Sequence, residues 1–498
     1  MFPLPKMSGE LMFLTKICFI LLILVVLYGL AKADKENIIE GPDAFEFGIA
    51  SEANKTTQRS LSKLDLRSIL IIIRSQHYKY HKRKAIELKK NLLYQAEQLN
   101  GEKNKLDVLM THENWCPYGS WTILPIIKII SRDYSKGKKW VFFCEDTTEV
   151  NLEKLLQVLE SYQDNKEWFL GHALRDTEPA IIHHFAFFED PSKFSFPNFW
   201  AGWAISTPLL NWLQKRLEED KPTMDFSIDV QHEIAMYIYK KGKGFNLTNV
   251  KEFCINKPLQ DSSCATTVNK QTPNCGQVSS DDILVSVKTC EKFHEERLPI
   301  ILKTIGRKAK HIKYYSDKAD TKIPTEFIGV KNTESGHCTK LYNIIMKAHT
   351  EEGLKTKPWL VIIDDDTIIS FSRLQRALAC YDPKDPILLG ERYGYGINYN
   401  SFGYEYITGG GGMILSRRGI ELLVKSGCRC SSDDSPDDMW LGMCFRNMGI
   451  PSVHNPSFHQ ARPSEYVPEL LQHQYLVSFH KHYLIDPMNV YKQYLKDD

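Results

Sequence analysis

The stretch Trp359-Leu-Val-Ile-Ile-Asp-Asp-Asp366 runs from apolar residues straight into three adjacent carboxylates. A short apolar run of this kind is typical of a buried strand, and open α/β sheets bind ligands at the carboxyl ends of their strands. Side chains alternate along an extended chain, so Asp364 and Asp366 share one face and Asp365 takes the other. Carboxylate oxygens suit Mg²⁺ or Mn²⁺, which in turn bind a diphosphate. The stretch therefore predicts a cation site at a sheet edge, with a solvated acidic turn as the alternative.

A glycine run follows, in Thr408-Gly-Gly-Gly-Gly-Met413, and leads into the apolar stretch Met413-Ile-Leu415. Glycines have no Cβ and therefore let the backbone approach a ligand closely. Because an apolar segment comes next, we favour this interpretation over a flexible linker.

Two further motifs carry candidate catalytic groups. Ser435-Pro-Asp-Asp-Met-Trp-Leu-Gly442 predicts a helix start with proline in its first turn. Asp437 or Asp438 would then be a catalytic base or only a helix N-cap. His459, in a Phe-His pair, is a candidate metal ligand or an ordinary polar residue.

The order of these motifs resembles glycosyltransferase family 31, and Fringe within it, over roughly residues 280–485. The segments that carry the resemblance further are Asp281-Asp-Ile-Leu-Val-Ser-Val-Lys-Thr289, Tyr315-Ser-Asp317, Gly390-Glu-Arg-Tyr-Gly-Tyr-Gly396, Cys428-Arg-Cys430, Phe458-His-Gln-Ala-Arg-Pro463 and Ser478-Phe-His-Lys-His482. The resemblance implies a GT-A-like, that is Rossmann-like, catalytic domain and an inverting transfer from a UDP-sugar.

The resemblance also assigns roles. Asp366, Asp364 and His459 would hold Mn²⁺ (or Mg²⁺) against the diphosphate of UDP-glucose, and Asp438 or Asp437 would take the proton of the acceptor hydroxyl. The nucleotide sugar would lie among Thr289, Arg297, Asp317, Lys340, Asp365, Gly409, Gly410, Gly411 and Gly412. The acceptors implied are proteins with thrombospondin type 1 repeats that carry O-linked fucose, which would receive glucose in β1,3 linkage. Two alternatives stay open: a Fringe-like N-acetylglucosaminyl- or galactosyltransferase, and a non-catalytic lumenal lectin or folding factor.

The upstream half repeats the downstream half. Trp140-Val-Phe-Phe-Cys-Glu-Asp-Thr147 echoes residues 359–366, and Ala201-Gly-Trp-Ala-Ile-Ser206 echoes residues 411–416. Self-similarity over this length indicates two copies of one domain. Thr147 stands where Asp366 stands, and Asp229 is the nearest equivalent of the Pro-Asp-Asp pair, so we expect the first copy to have lost catalysis.

These observations predict an α/β protein of two tandem GT-A-like domains, the first degenerate and the second catalytic. The expected boundaries are a signal peptide or anchor at 1–33, a stem at 34–66, a non-catalytic domain at 67–253, a cysteine-containing linker at 254–280 and a catalytic domain at 281–498. With 498 residues, 43% of them hydrophobic, the chain can bury several cores. A net charge of +2 gives no electrostatic reason to expect a nucleic-acid partner.

The N-terminus and the cysteines indicate the secretory pathway. The apolar run from Ile17 to Ala31 has the length of a signal-peptide core, and a signal anchor is the alternative. Asn54 and Asn246 begin glycosylation sequons, and twelve cysteines suit an oxidising lumen. We expect the endoplasmic reticulum lumen with a type II anchor, or else the Golgi, and a buried free thiol at Cys144.

Overall fold

The computed structural model describes residues 64–100, 106–222, 224–255, 257, 261, 263–268, 272–398 and 402–496. Residues Ser62–Asp498 belong to one compact unit. The apolar N-terminal run and the Asn54 sequon lie outside the described residues, whereas Asn246 is exposed just before a strand. Within the described ranges, no helix is both long and apolar enough to cross a membrane.

Strands and short helices alternate along the chain. The strands are β1 (Ile69–Arg74), β2 (Asp107–Met110), β3 (Trp140–Glu145), β4 (Glu149–Val150), β5 (Phe169–Gly171), β6 (Ala173–Leu174), β7 (Phe196–Pro197), β8 (Trp203–Ser206), β9 (Phe226–Ser227), β10 (Thr248–Asn249), β11 (Thr266–Thr267), β12 (Ile283–Lys288), β13 (His311–Ser316), β14 (Thr325–Phe327), β15 (Trp359–Asp364), β16 (Thr367–Ile369), β17 (Leu388–Gly390), β18 (Arg392–Tyr395), β19 (Tyr404–Ile407), β20 (Met413–Ser416), β21 (Val453–His454) and β22 (Ser478–His480). The α-helices are α1 (Lys79–Asn100), α2 (Thr111–Asn114), α3 (Pro117–Ser120), α4 (Leu124–Ile129), α5 (Leu152–Glu160), α6 (Thr207–Glu219), α7 (Val230–Tyr239), α8 (Leu298–Lys303), α9 (Cys338–Thr350), α10 (Phe371–Leu378), α11 (Arg417–Ser426), α12 (Asp437–Asn447), α13 (Pro468–His473) and α14 (Pro487–Val490).

Two large sheets share one strand order. The first runs β2-β1-β3-β8-β5-β10, and the second runs β13-β12-β15-β20-β17-β21 with β14 added at its edge. Corresponding pairs also share direction, because β8 and β20 are each antiparallel to both of their neighbours while the other pairs are parallel. The α/β class with two Rossmann-like sheets is confirmed. Each sheet is mixed only because a single strand, β8 in the first and β20 in the second, runs against the others, which all share one direction.

The second sheet is covered on both faces. Val285 and Val361 pack into one apolar cluster with α8 and α10, while Leu284 and Leu360 pack into another with α9, α11 and α12. Strands that are buried on both faces have continuous apolar runs rather than alternating ones. Burial on both faces explains the continuous apolar residues 359–363 before Asp364. Polar side chains instead lie at the carboxyl ends of β12 and β15, at Lys288 and Asp364.

Several links hold the chain together around this sheet. Strand β9 of the upstream half pairs with β18, and the disulfide Cys275–Cys380 ties the segment between the sheets to the second half. The other disulfides are Cys254–Cys264, Cys338–Cys430 and Cys428–Cys444. Cys144 is a buried free thiol, as predicted, and Cys116 and Cys290 are also unpaired. Leu64 and Leu66 are buried in the first core, so packing begins slightly before the boundary expected at residue 67.

Candidate active site

Asp364 is the last residue of β15, and Asp365 and Asp366 form the turn that follows, so the alternation expected for an extended chain does not continue past Asp364. Arg297 Nη1 contacts both Asp365 and Asp366. Asp365 is buried on one side, where it accepts hydrogen bonds from Thr289 Oγ1 at 2.7 Å and from Arg297 Nη1 at 2.8 Å. Burial raises the pKa of Asp365 to about 6, although its two donors oppose this shift. On the other side, Asp364 Oδ1 lies 2.9 Å from Lys288 Nζ.

A candidate metal-ligand cluster forms on this second side. Potential ligand atoms of Asp364, Asp366 and His480 all lie within 4.8 Å of one another. His480 ends β22, which pairs with β16 directly after the carboxylates, so that Nε2 lies 3.0 Å from Asp366 Oδ1. Two carboxylates and one imidazole are a donor set that suits Mn²⁺.

The charge state of the cluster also suits a cation. Burial alone would raise the pKa of Asp366, but His480 and Arg297 lower it to about 2. Asp366 is therefore ionised at neutral pH and able to bind metal. The residues present fit a divalent cation, held by Asp364, Asp366 and His480.

His459, the third metal ligand predicted from the sequence, does not belong to this cluster in the structure. Its Nδ1 lies 3.0 Å from the Ser478 carbonyl oxygen and its Nε2 lies 2.7 Å from Gln474 Oε1, so both nitrogens are engaged. The ring is fully buried and stacks on Phe479, and burial lowers its pKa to about 4. The signal that was missed is the second Phe-His pair, at Phe479-His480, on a strand beside the acidic turn.

A cavity of about 550 Å³ opens beside the cluster. This volume is typical of small-ligand sites. Its lining includes the three carboxylates, His480, and the cationic side chains Lys288, Lys292, Arg297 and Lys340. Such a lining suits an anionic ligand with its own cation.

The remaining predicted site residues divide into two groups: Thr289 and Lys340 line this cavity, whereas residues 409–412 and the candidate bases Asp437 and Asp438 are not among its lining residues. Lys340 donates to the Thr289 carbonyl at 2.9 Å and to Asn332 Oδ1 at 2.8 Å. Asp317 is not among the lining residues; it lies at the end of β13 and accepts a hydrogen bond from Glu291 N at 2.8 Å.

The two acids at the start of α12 differ in environment. Asp437 is buried in an ion pair with Lys288. Burial alone would raise the pKa of Asp437, but the Lys288 ammonium lowers it. Asp438 forms no ion pair with a described residue and accepts a hydrogen bond from Gly409 N at 3.2 Å. Burial, with the neighbouring Asp437 carboxylate adding to it, raises the pKa of Asp438 to about 7. Asp438 is thus the better general base, because a catalytic pKa is most effective near the working pH.

The glycine run holds these groups together. A Cβ at Gly410 would overlap the imidazole of His480, and Gly412 has a φ of +103° that favours glycine. Gly411 N donates to Gln460 Oε1 at 3.1 Å. Gly409 stands between the two parts of the site, because its N–H reaches Asp438 and its α-carbon side faces Asp364.

The corresponding edge of the first sheet is built differently. Arg74 Nε pairs with Glu145 Oε1 at 2.6 Å, as Lys288 pairs with Asp364, and Thr147 supplies no third carboxylate. The cavity there is only about 120 Å³ and is lined partly by second-half residues such as Tyr381. This edge lacks both the ligand set and the room of the second one.

The family of this chain follows from comparison with known proteins. A sequence model described as Fringe-like matches residues 126–245 and 278–497, one segment in each half. The chain belongs to the Fringe-like family. It is 50% identical over 433 residues to a beta-1,3-glucosyltransferase of Mus musculus, covering 87% of each chain. It is 47% identical over 470 residues to a beta-1,3-glucosyltransferase of Homo sapiens, covering 94% of this chain and 91% of that one.

More distant relatives match less than half of this chain. The manic fringe beta-1,3-N-acetylglucosaminyltransferase of Danio rerio is 27% identical, over 36% of this chain and 55% of its own. Among solved structures, a glycosyltransferase involved in glycosylation of the major capsid of PBCV-1 is 12% identical with a TM-score of 0.24, over 40% of this chain and 93% of that one. That similarity is too low to carry an argument. The two glucosyltransferases confirm the prediction of an enzyme of the β-1,3-glucosyltransferase type.

Proposed function

We propose that this protein transfers glucose from UDP-glucose, in β1,3 linkage and with inversion, to O-linked fucose on thrombospondin type 1 repeats. The observation that carries the proposal is the position of Gly409, which separates a cation cluster from a carboxylate with a pKa near neutrality. A sugar lying there would have its leaving group on one side and its attacking hydroxyl on the other.

The residues divide the work of a single displacement. Asp364, Asp366 and His480 would hold Mn²⁺, which when bound offsets the charge that develops on the leaving diphosphate. Arg297 and Lys340 contribute positive charge at the same cavity. Asp438 takes the proton of the fucose 3-hydroxyl as that oxygen attacks the anomeric carbon. Lys288 keeps Asp437 ionised and fixes the start of α12 relative to Asp364.

The compartment that we propose is the endoplasmic reticulum lumen, with the chain held as a type II membrane protein. Four disulfides support an oxidising lumen. The apolar run at residues 17–31 supports entry into the secretory pathway.

The test is sugar transfer by the purified full-length chain. The acceptor is a folded thrombospondin repeat carrying O-fucose, offered with UDP-glucose, UDP-N-acetylglucosamine or UDP-galactose, with and without Mn²⁺. We expect transfer from UDP-glucose alone, dependent on Mn²⁺ and lost in Asp366→Ala. Transfer from either of the other donors in its place would instead support the Fringe-like alternative.

A further inference from the structure

A three-stranded sheet joins the two halves beside the candidate active site. Strand β9 of the first half pairs with β18, and β18 pairs with β19, both times antiparallel. The hairpin that links β18 to β19 is tied to the first half again. Gly396 N donates to the Asp225 carbonyl oxygen at 2.6 Å, and Asn398 Nδ2 donates to Ser227 Oγ at 2.8 Å. The first half therefore supplies one strand of a surface that belongs to the second half.

Aromatic rings form a row across this sheet, made of Phe226, Tyr395 and Tyr404. Tyr395 is paired with Phe226 on one side and with Tyr404 on the other, so the three side chains share one face. The ring centroids of Phe226 and Tyr395 lie 5.2 Å apart, and those of Tyr395 and Tyr404 lie 5.7 Å apart. Tyr395 and Tyr404 are half-buried and Phe226 is exposed, so solvent reaches the whole row. Phe402, in the same hairpin just before Tyr404, adds an exposed ring.

The row leads to the candidate base Asp438. Helix α12 packs directly on β19, since a Cβ at Gly442 would lie 2.3 Å from the Cβ of Tyr406. Asp438 is one turn before Gly442 and therefore lies on the same face of the helix. There it accepts a hydrogen bond from Gly409, which follows closely after the end of β19. Burial raises the pKa of both Tyr404 and Tyr406, and the negative charge of Asp438 adds to each shift.

The acceptor of the proposed reaction must come to this same place. Asp438 takes the proton of the acceptor hydroxyl, so that hydroxyl lies within hydrogen-bond reach of its carboxylate. A single sugar separates the hydroxyl from the polypeptide that carries it, and the polypeptide must therefore cover the surface around Asp438. Aromatic side chains commonly anchor such contacts, because they bury a large apolar area and have few rotatable bonds.

We propose that the row of Phe226, Tyr395 and Tyr404, with Phe402 beside it, is the docking surface for the acceptor protein. This inference rests on the proposed function and extends it from the fucose to the folded domain that carries the fucose. Neighbouring strands stand about 4.8 Å apart, so the row spans roughly 10 Å, which is wider than one sugar ring. The first half takes part through Phe226, a role that requires a folded first half but not a catalytic one.

The test compares two KM values of the full-length protein, one for the folded, fucosylated thrombospondin repeat and one for UDP-glucose. Phe226→Ala should raise the KM for the repeat by about five- to thirtyfold. Its kcat and its KM for UDP-glucose should stay within about twofold of wild type, because the donor cavity is unchanged. Tyr94→Ala is the matched control, since Tyr94 is an aromatic residue of α1 in the same half and is 61% exposed. It should change neither KM.

An unchanged KM for the repeat in Phe226→Ala, or an equal rise in Tyr94→Ala, would overturn the inference while the proposed function stands. Wild-type protein that does not glucosylate the repeat would contradict the proposed function itself, and the inference with it. Phe402→Ala is a second variant, in which the same rise in KM is expected. The Phe402 side chain is 82% exposed, so its removal costs little packing. If Phe226→Ala fails to fold, the KM of Phe402→Ala for the repeat decides the question.

Discussion

The imidazole of His480 occupies the space that a side chain at Gly410 would fill. The glycine run thus leaves room for the His480 ring to pack against its backbone. This packing is separate from any contact that the run makes with a donor sugar. The two residues lie about 70 positions apart in sequence, and Thr367 brings them together, because it pairs with His480 between β16 and β22 and donates a hydrogen bond to the Gly410 carbonyl oxygen at 2.9 Å.

We expect Gly410→Ala to lower kcat by about a hundredfold or more, because the new methyl group displaces His480 from Asp366. The measurement is steady-state transfer as a function of Mn²⁺ concentration, with circular dichroism to confirm folding. The control is Gly353→Ala, an exposed glycine of the second half outside the site, where an added Cβ would meet nothing within 4 Å. An equal loss of activity in both variants would show that the fit around His480 is not the cause.

Measuring Mn²⁺ affinity in variants of His480 and His459 distinguishes which of the two histidines binds the metal. His480→Gln should weaken Mn²⁺ binding by about ten- to a hundredfold, whereas His459→Gln should leave it within a few fold of wild type. The reason is that both nitrogens of His459 are already bonded to Ser478 and Gln474. Isothermal titration with Mn²⁺ in the presence of UDP checks this, and the reverse order of effects would restore the sequence-based assignment.

The ionisation of Asp438 should determine how kcat/KM rises with pH on the acidic side of the pH profile. A general base acts in its ionised form, so kcat/KM should rise with pH and level off above an apparent pKa near 7. Asp437→Asn should move this limb to lower pH, because it removes the neighbouring negative charge and leaves the Lys288 ammonium near Asp438. Rates measured from pH 5 to 9 test both statements.

The matched comparison is Asp438→Asn, which we expect to lower kcat by about 10²- to 10⁴-fold with little change in the KM for the donor. If kcat/KM of the Asp438→Asn variant still rises with an apparent pKa near 7, a group other than Asp438 causes that rise.

The sequence predicted those parts of the site that are local in the chain. The apolar run before Asp364, the acids at the start of α12 and the repeat between the halves each follow from short patterns and their spacing. His480 could not be chosen over His459 in this way, because the choice depends on the pairing of β16 with β22. The ion pairs of Lys288 likewise join residues far apart in sequence. Tertiary contacts of this kind leave no periodic signal.

A last prediction concerns stability rather than activity. Glu391 is enclosed beside Gln460 and Tyr466, and burial raises its pKa to about 8. A carboxyl group whose pKa is higher in the folded than in the unfolded protein binds its proton more tightly in the folded state. Ionisation of that group at high pH therefore destabilises the folded protein. The free energy of unfolding should therefore fall as pH rises from the unfolded pKa, near 4.5, to the folded value near 8.

Glu391→Gln should remove this dependence, because the amide oxygen can still accept from Gln460 N and no charge is buried. We expect the variant to be more stable than wild type by about 2–4 kcal/mol at pH 8, and by less than about 1 kcal/mol at pH 5. Urea unfolding at the two pH values measures the difference. Asp229→Asn is the contrasting control, because Asp229 accepts hydrogen bonds from His183 and Gln231 that lower its pKa to about 2 despite burial, and its loss should destabilise the protein at both pH values. If Glu391→Gln instead behaves like Asp229→Asn, Glu391 is ionised and paired in the folded protein.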